Sequence, residues 1–253
     1  MSLETPAVET PPAPGMPPRK SALRNFAGYA TLMACLVAVH YIIAFNPTST
    51  RSVAQASVFS WTALAIIGVM GLLGVFFLNL TNLRGFWDAD LNLRQKITAP
   101  LIVGLILGAA LAASDIFTGW SGIMAAQMHL LTIHIAFPLS VPIYFGGAIL
   151  VTILYFLIIL PFADWLIAIK LLKGKAEPMV FWLAATPLAL IEPLTQGDFT
   201  AIPGWGWTAV PNAVCDVLVN FAQVAFMRSS GFIAAVAVRV GFYAIWHVVY
   251  GLF

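Results

Sequence analysis

Long apolar runs separated by short polar breaks set the pattern of this chain. The runs lie at about 26–45, 58–80, 98–117, 143–169, 178–195, 210–227 and 232–252. Each approaches the ~20 residues that a helix needs to cross a ~30 Å hydrocarbon core. Backbone polar groups at that depth must be satisfied within the segment, so each run predicts a transmembrane helix. An eighth run, 121–141, is interrupted by Gln127, His129, His134 and Pro138. It predicts a re-entrant or interfacial segment. The expected fold is all-α, a polytopic transmembrane bundle of about seven spans, with eight as the alternative if 121–141 crosses.

Ahead of the first run, residues 1–25 are rich in Pro, Ala, Thr and Glu and end in a cluster with Arg19, Lys20 and Arg24. Such a segment buries too little apolar surface to offset its chain entropy, which predicts a disordered tail. Residues 26–253 then form one transmembrane helical domain. The first run exceeds the about 7–15 apolar residues of a secretory signal core, so it reads as an uncleaved span.

Basic residues favour cytoplasmic loops. With the tail inside, Arg84, Arg94 and Lys96 are inside as well. If 121–141 does not cross, Lys170, Lys173, Lys175 and Arg228 join them, leaving Arg51 outside and Arg239 within a span. This selects seven spans, a cytoplasmic N-terminus and an outer C-terminus. The expected location is the cytoplasmic (plasma) membrane.

Composition supports the same class. The chain is 61% hydrophobic and 9% charged, against about 25% charged in a soluble domain. Its solvent, and its first partner, is the lipid bilayer. The net charge of +2 is small and scattered, so there is no nucleic-acid footprint. Cys35 and Cys215 both lie in apolar runs and read as buried apolar residues. Gly68, Gly71 and Gly74, and then Gly104, Gly108 and Ala112, have the small-residue spacing that lets helices approach closely in lipid. Trp205 and Trp207 fit an outer aromatic belt.

Polar residues inside spans are costly and mark function. His40, Asp216 and His247 fall roughly 8–9 Å below the outer ends of their spans, at 1.5 Å of rise per residue. Asp115 and Glu192 lie near the outer ends of theirs, and His129 and His134 belong to the outer segment. An outer-facing pocket lined by His40, Glu192, Asp216 and His247 follows. Arg239 sits deeper, level with Asn220 and Gln223. A span-centre arginine costs at least ~2.5–3.5 kcal/mol, so it requires a carboxylate or these amides as partners. Asp216, Asn220, Gln223 and Arg239 are thus structural or proton-relay candidates. Pro187 and Pro193 bracket Glu192 and predict a kinked or broken helix there.

No motif identifies a metal site. His129 and His134 are five apart and diverge around a helix, so they do not co-ligate as an i, i+4 pair does. His40, His129, His134 and His247 remain as cofactor candidates, as axial ligands to haem or a chlorophyll-type pigment, or as ligands to a divalent metal assembled between helices.

The C-terminal third resembles the CAAX protease and bacteriocin-processing family of intramembrane proteases. That family carries Glu-Glu-x-x-x-Arg on one helix, Phe-x-x-x-His on another and His-x-x-x-Asn on a late helix. Ile191-Glu192-Pro193-Leu194-Thr195-Gln196-Gly197 stands where the first motif would be. Arg228-Ser229-Ser230-Gly231 precedes the last helix, where Arg239 and Tyr243 occupy the His and Asn positions. The first motif lacks one glutamate and the arginine, and the second has no histidine here. The resemblance implies a metal-dependent or glutamate-dependent protease, or an inactive relative, with Glu192 activating water and His247 as a displaced histidine.

Three functions are thus expected in order: a non-catalytic subunit of a larger membrane assembly that holds a cofactor or pigment through intramembrane histidines, the protease, and a small-solute or proton-coupled transporter.

Overall fold

The computed structural model describes residues 22–46, 57–88, 90–127, 129–195 and 207–253. The tail, Arg51 and the Gln196–Trp205 stretch of the expected motif and belt lie outside them, as does the Trp207 side chain. Among the described residues the chain is helical, without strands. Eight helices are named in chain order: α1 (Ala22–Ala44), α2 (Trp61–Asn79), α3 (Arg94–Thr118), α4 (Trp120–Gln127), α5 (Ser140–Leu171), α6 (Glu177–Thr195), α7 (Val210–Ser230) and α8 (Phe232–Leu252).

Six of them, α1, α2, α3, α5, α7 and α8, are long and apolar enough to cross a membrane. The protein is therefore a multi-pass integral membrane protein. The seventh expected span, α6, forms a 19-residue helix with Pro187 and Pro193 inside it and Glu177 and Glu192 along it, and is not one of these six. The 121–141 segment forms no long helix. It contributes short α4, then irregular chain up to Ser140. α1 starts at Ala22, ahead of its apolar run.

Contact registers give the helix directions. Asn25 bonds Asn79, the Tyr29 hydroxyl donates to the Ile67 carbonyl, and His40 Nδ1 meets the Phe59 carbonyl, so α1 and α2 are antiparallel. Arg228 pairs with Glu177 and Asn220 bonds the Ala189 carbonyl, so α6 and α7 are antiparallel. Gln223 donates to the Ala235 carbonyl while Asn220, earlier on α7, accepts from Arg239, later on α8, so α7 and α8 are antiparallel. Their reversal happens at Gly231, whose φ of 93° suits glycine. There the Phe232 amide donates to the Gly85 carbonyl.

α3 and α8 run parallel and form the closest helix pair. A Cβ on Gly104 would overlap the Val238 carbonyl, and one on Gly241 would overlap the Leu101 carbonyl. The expected small-residue packing thus lies within one chain. Gly71 meets Tyr29 of α1, and Gly74 meets Leu157 of α5. Leu36, Val75, Leu78, Ile149, Phe156 and Phe232 fill the core, while Ile66, Val69, Leu72, Leu73 and Phe76 point outward. That reversal of the soluble pattern is what lipid contact requires.

The bundle has two unlike ends. Arg24, Arg84, Arg94, Lys96, Lys170, Lys173, Lys175 and Arg228 lie at or near one end, with the α2–α3 and α5–α6 connections and the α7–α8 turn. At the other, residues 120–139 close over the ends of α3, α7 and α8. Asp115, near the end of α3, anchors this cap. It accepts from the Ser121 amide at 2.7 Å, the Ser121 hydroxyl at 2.5 Å and the Tyr250 hydroxyl at 2.8 Å.

Candidate functional site

α7 carries Asn212, Asp216, Asn220 and Gln223 at steps of four, four and three, so all four share one helix face. α8 carries Arg239, Tyr243 and His247 at steps of four. Because the two helices are antiparallel, the stripes face each other, Asn220 and Gln223 against Arg239 and Asn212 toward His247.

The deeper half is a closed hydrogen-bond network. Arg239, 2% exposed, donates from Nε to Gln223 Oε1 at 2.8 Å and from Nη2 to both Glu192 and Asn220. Gln223 passes the chain on, donating to Thr152 Oγ1 at 2.9 Å and to the Ala235 carbonyl at 3.2 Å. Asn220 Nδ2 donates to the Ala189 carbonyl, one helical turn before Pro193. Proline cannot donate its i−4 hydrogen bond, so this amide serves a carbonyl that the helix leaves free. The two charges are mutually neutralised, which a pair this deeply buried requires.

The shallower half is a chamber of about 100 Å³ between α4, α7 and α8. Asn212, Asp216, Arg239, Tyr243 and His247 give it polar walls, and Trp120, Met124 and Ile133 of the cap roof it. A water needs only about 10–15 Å³ of such volume, so the chamber has room for several waters or a ligand of a few non-hydrogen atoms. Asn212 Nδ2 donates to Asp216 Oδ2 at 3.3 Å, whereas its buried Oδ1 has no hydrogen-bond partner among the described residues.

His247 sits in a π-helical turn, Ala244–Val249. Its ring stacks on Tyr144 with centroids 4.0 Å apart, and its Nδ1 lies 3.3 Å from Nδ1 of His134. One imidazole donates and the other accepts. His134 belongs to the cap and also borders a larger, mainly apolar groove of about 770 Å³ along α3 and α8. The histidine pair therefore stands between groove and chamber.

The expected pocket is only partly assembled this way. Asp216 and His247 line the chamber. Glu192 lies behind Arg239 and does not line it. His40 is engaged elsewhere, with the Phe59 carbonyl at 2.8 Å and the Trp61 ring. His129 is exposed, with φ of 53°. Among the described residues no three His, Cys, Asp or Glu side chains come close enough to hold a metal ion. Cys35 and Cys215 are free thiols. Asn212, Tyr144 and Trp120 complete the site without having stood out in the sequence. The four-residue step from Asn212 to Asp216 was the available signal for the first. The other two reach the site through tertiary packing, which no local spacing encodes.

No family model matches the chain, and no curated protein or solved structure matches it significantly.

Proposed function

We propose that this protein is a transporter of the cytoplasmic membrane. In this reading it takes a small polar solute into the chamber beneath the cap, and Asp216 and His247 exchange protons with it. The N-terminus and the basic end face the cytoplasm, as the clustering of lysines and arginines favours, and the cap faces outward. The observation that carries the reading is the chamber itself: a small cavity with a carboxylate and an imidazole on its walls, placed where two otherwise apolar helices face each other. Ionisable residues at membrane depth form substrate pathways and proton relays. α6, a continuous helix with Pro187 and Pro193 inside it, backs the Arg239 wall through Glu192 from outside the chamber.

A pigment- or haem-binding subunit fits less well. The two histidines nearest the chamber bond each other, and the volume suits a few atoms rather than a macrocycle. A hydrolase using Glu192 as base would need that carboxylate free in the chamber, and Arg239 holds it outside.

The test is reconstitution into vesicles loaded with a pH-sensitive dye, challenged with gradients of small cations and neutral polar solutes. A protein-dependent pH change driven by at least one solute is expected. Rates equal to protein-free vesicles for every solute would overturn the reading.

A further inference from the structure

The groove along α3 and α8 lies apart from the chamber and has its own chemistry. Ala109, Ala113 and Ile116 of α3 and Ile245 and Val249 of α8 form its walls. Both helices are spans, so these walls stand in lipid. Ala109 is nine residues before the end of α3 at Thr118, and Ile245 is seven before the end of α8 at Leu252. At 1.5 Å of rise per residue the groove reaches roughly 11–14 Å below the helix ends. That is close to half of a ~30 Å hydrocarbon core, the depth of one leaflet. Its volume of about 770 Å³ falls within the ~300–1,000 Å³ of sites that hold one small ligand.

Polar side chains line this groove only toward the cap, where Ser121, Thr132, His134 and Tyr250 meet. The Ser121 and Tyr250 hydroxyls both donate to Asp115, so toward a ligand their oxygens accept. Thr132 Oγ1 accepts from the His134 amide, and its hydroxyl hydrogen is what it offers as a donor. A head that both accepts and donates matches this set, as an alcohol does. Among the described residues no lysine or arginine lines the groove to hold an anionic head, and the Asp115 carboxylate behind Ser121 and Tyr250 opposes one. A cationic head accepts nothing and leaves the Thr132 donor unmatched. Apolar walls of one leaflet's depth, ending in uncharged hydrogen-bonding groups, describe one ligand class.

We infer that the groove is a binding site for a neutral single-chain lipid with a hydroxyl head, a monoacylglycerol or long-chain alcohol. Its chain lies along Ala109, Ala113, Ile116 and Ile245, and its head meets Ser121, Thr132 and Tyr250 at the cap. The site is separate from the chamber and stands whether or not the chamber carries a solute.

The experiment is photolabelling of the full-length protein in phosphatidylcholine vesicles with a monoacylglycerol that carries a diazirine in its chain, followed by peptide mapping. Saturable labelling confined to α3, α8 and the cap is expected, displaced by unlabelled monoacylglycerol. The alkyl phosphate and the alkylammonium of the same chain length should displace it at least about tenfold less well, since neither charge is matched in the groove. Ala113→Phe should weaken labelling by at least about tenfold, because the ring overfills the groove. Thr132→Val should weaken it roughly threefold or more, the loss of one hydrogen bond. Both positions are exposed, so both variants should fold. Labelling spread evenly over the lipid-facing helices would be ordinary bilayer contact and would overturn the inference. Equal displacement by the charged amphiphiles, or unchanged labelling in the folded variants, would do the same. Absence of groove labelling together with cross-linking of two chains through Ala113→Cys would assign the groove to a second copy instead.

Discussion

Arg239 cannot remain at the centre of an apolar helix without partners, and the chain supplies them from two other helices. Asn220 and Gln223 come from α7 and Glu192 from α6. Removing one member of such a buried pair leaves the other charge unmatched, which costs about 3–5 kcal/mol. Arg239→Met should therefore lower the unfolding temperature sharply in detergent, and Glu192→Met should do likewise. The double variant should recover much of the loss, because apolar replacement of both partners is often neutral. If the double variant is as unstable as the sum of the singles, the two side chains are not a coupled pair. The level of Arg239 against Asn220 and Gln223 was readable from helix rise alone. Glu192 was not assignable to it, since its partner depends on where α6 packs. Likewise, His134 and His247 are 113 positions apart in sequence, and only the fold of the cap brings them together.

The helices themselves were largely legible, because lipid demands long apolar runs and leaves few alternatives. The residues that join them were legible in kind but not in partner. Gly104 and Gly108 announce a close approach, yet nothing local says that α8 is the neighbour. Gly104→Val should disrupt the α3–α8 contact, since its Cβ would overlap the Val238 carbonyl; overpacking of this sort costs typically about 1–3 kcal/mol. Gly122→Ala in the cap, where a Cβ meets open space, should leave the unfolding free energy within about 0.5 kcal/mol of the parent, the usual range at sites away from packed features. Equal effects would show that the helices do not meet at Gly104. The cap was legible as an interruption, through Pro138 and the polar residues near it, while its anchoring to Asp115 was not. That carboxylate closes a local structure through Ser121 and Tyr250 rather than serving the chamber.

The whole molecule is polarised, with its described lysines and arginines other than Arg239 at one end and the cap at the other. This asymmetry predicts sidedness. In a background lacking Cys35 and Cys215, Leu131→Cys should react with a membrane-impermeant maleimide in intact cells, because Leu131 is fully exposed on the cap. Lys173→Cys should react only after permeabilisation. Labelling of both from outside would overturn the proposed topology.

The central claim, that the chamber is where transport occurs, is tested most directly by dye-reported flux in vesicles. Wild type should be compared with Asp216→Asn, which alters the chamber, and Glu177→Gln, which alters only the Arg228 ion pair at the basic end. We predict a fall of at least about tenfold for Asp216→Asn, the loss of about 1.4 kcal/mol or more of interaction, and near-parental flux for Glu177→Gln. Equal flux in wild type and Asp216→Asn, with both proteins folded and inserted, would contradict the claim.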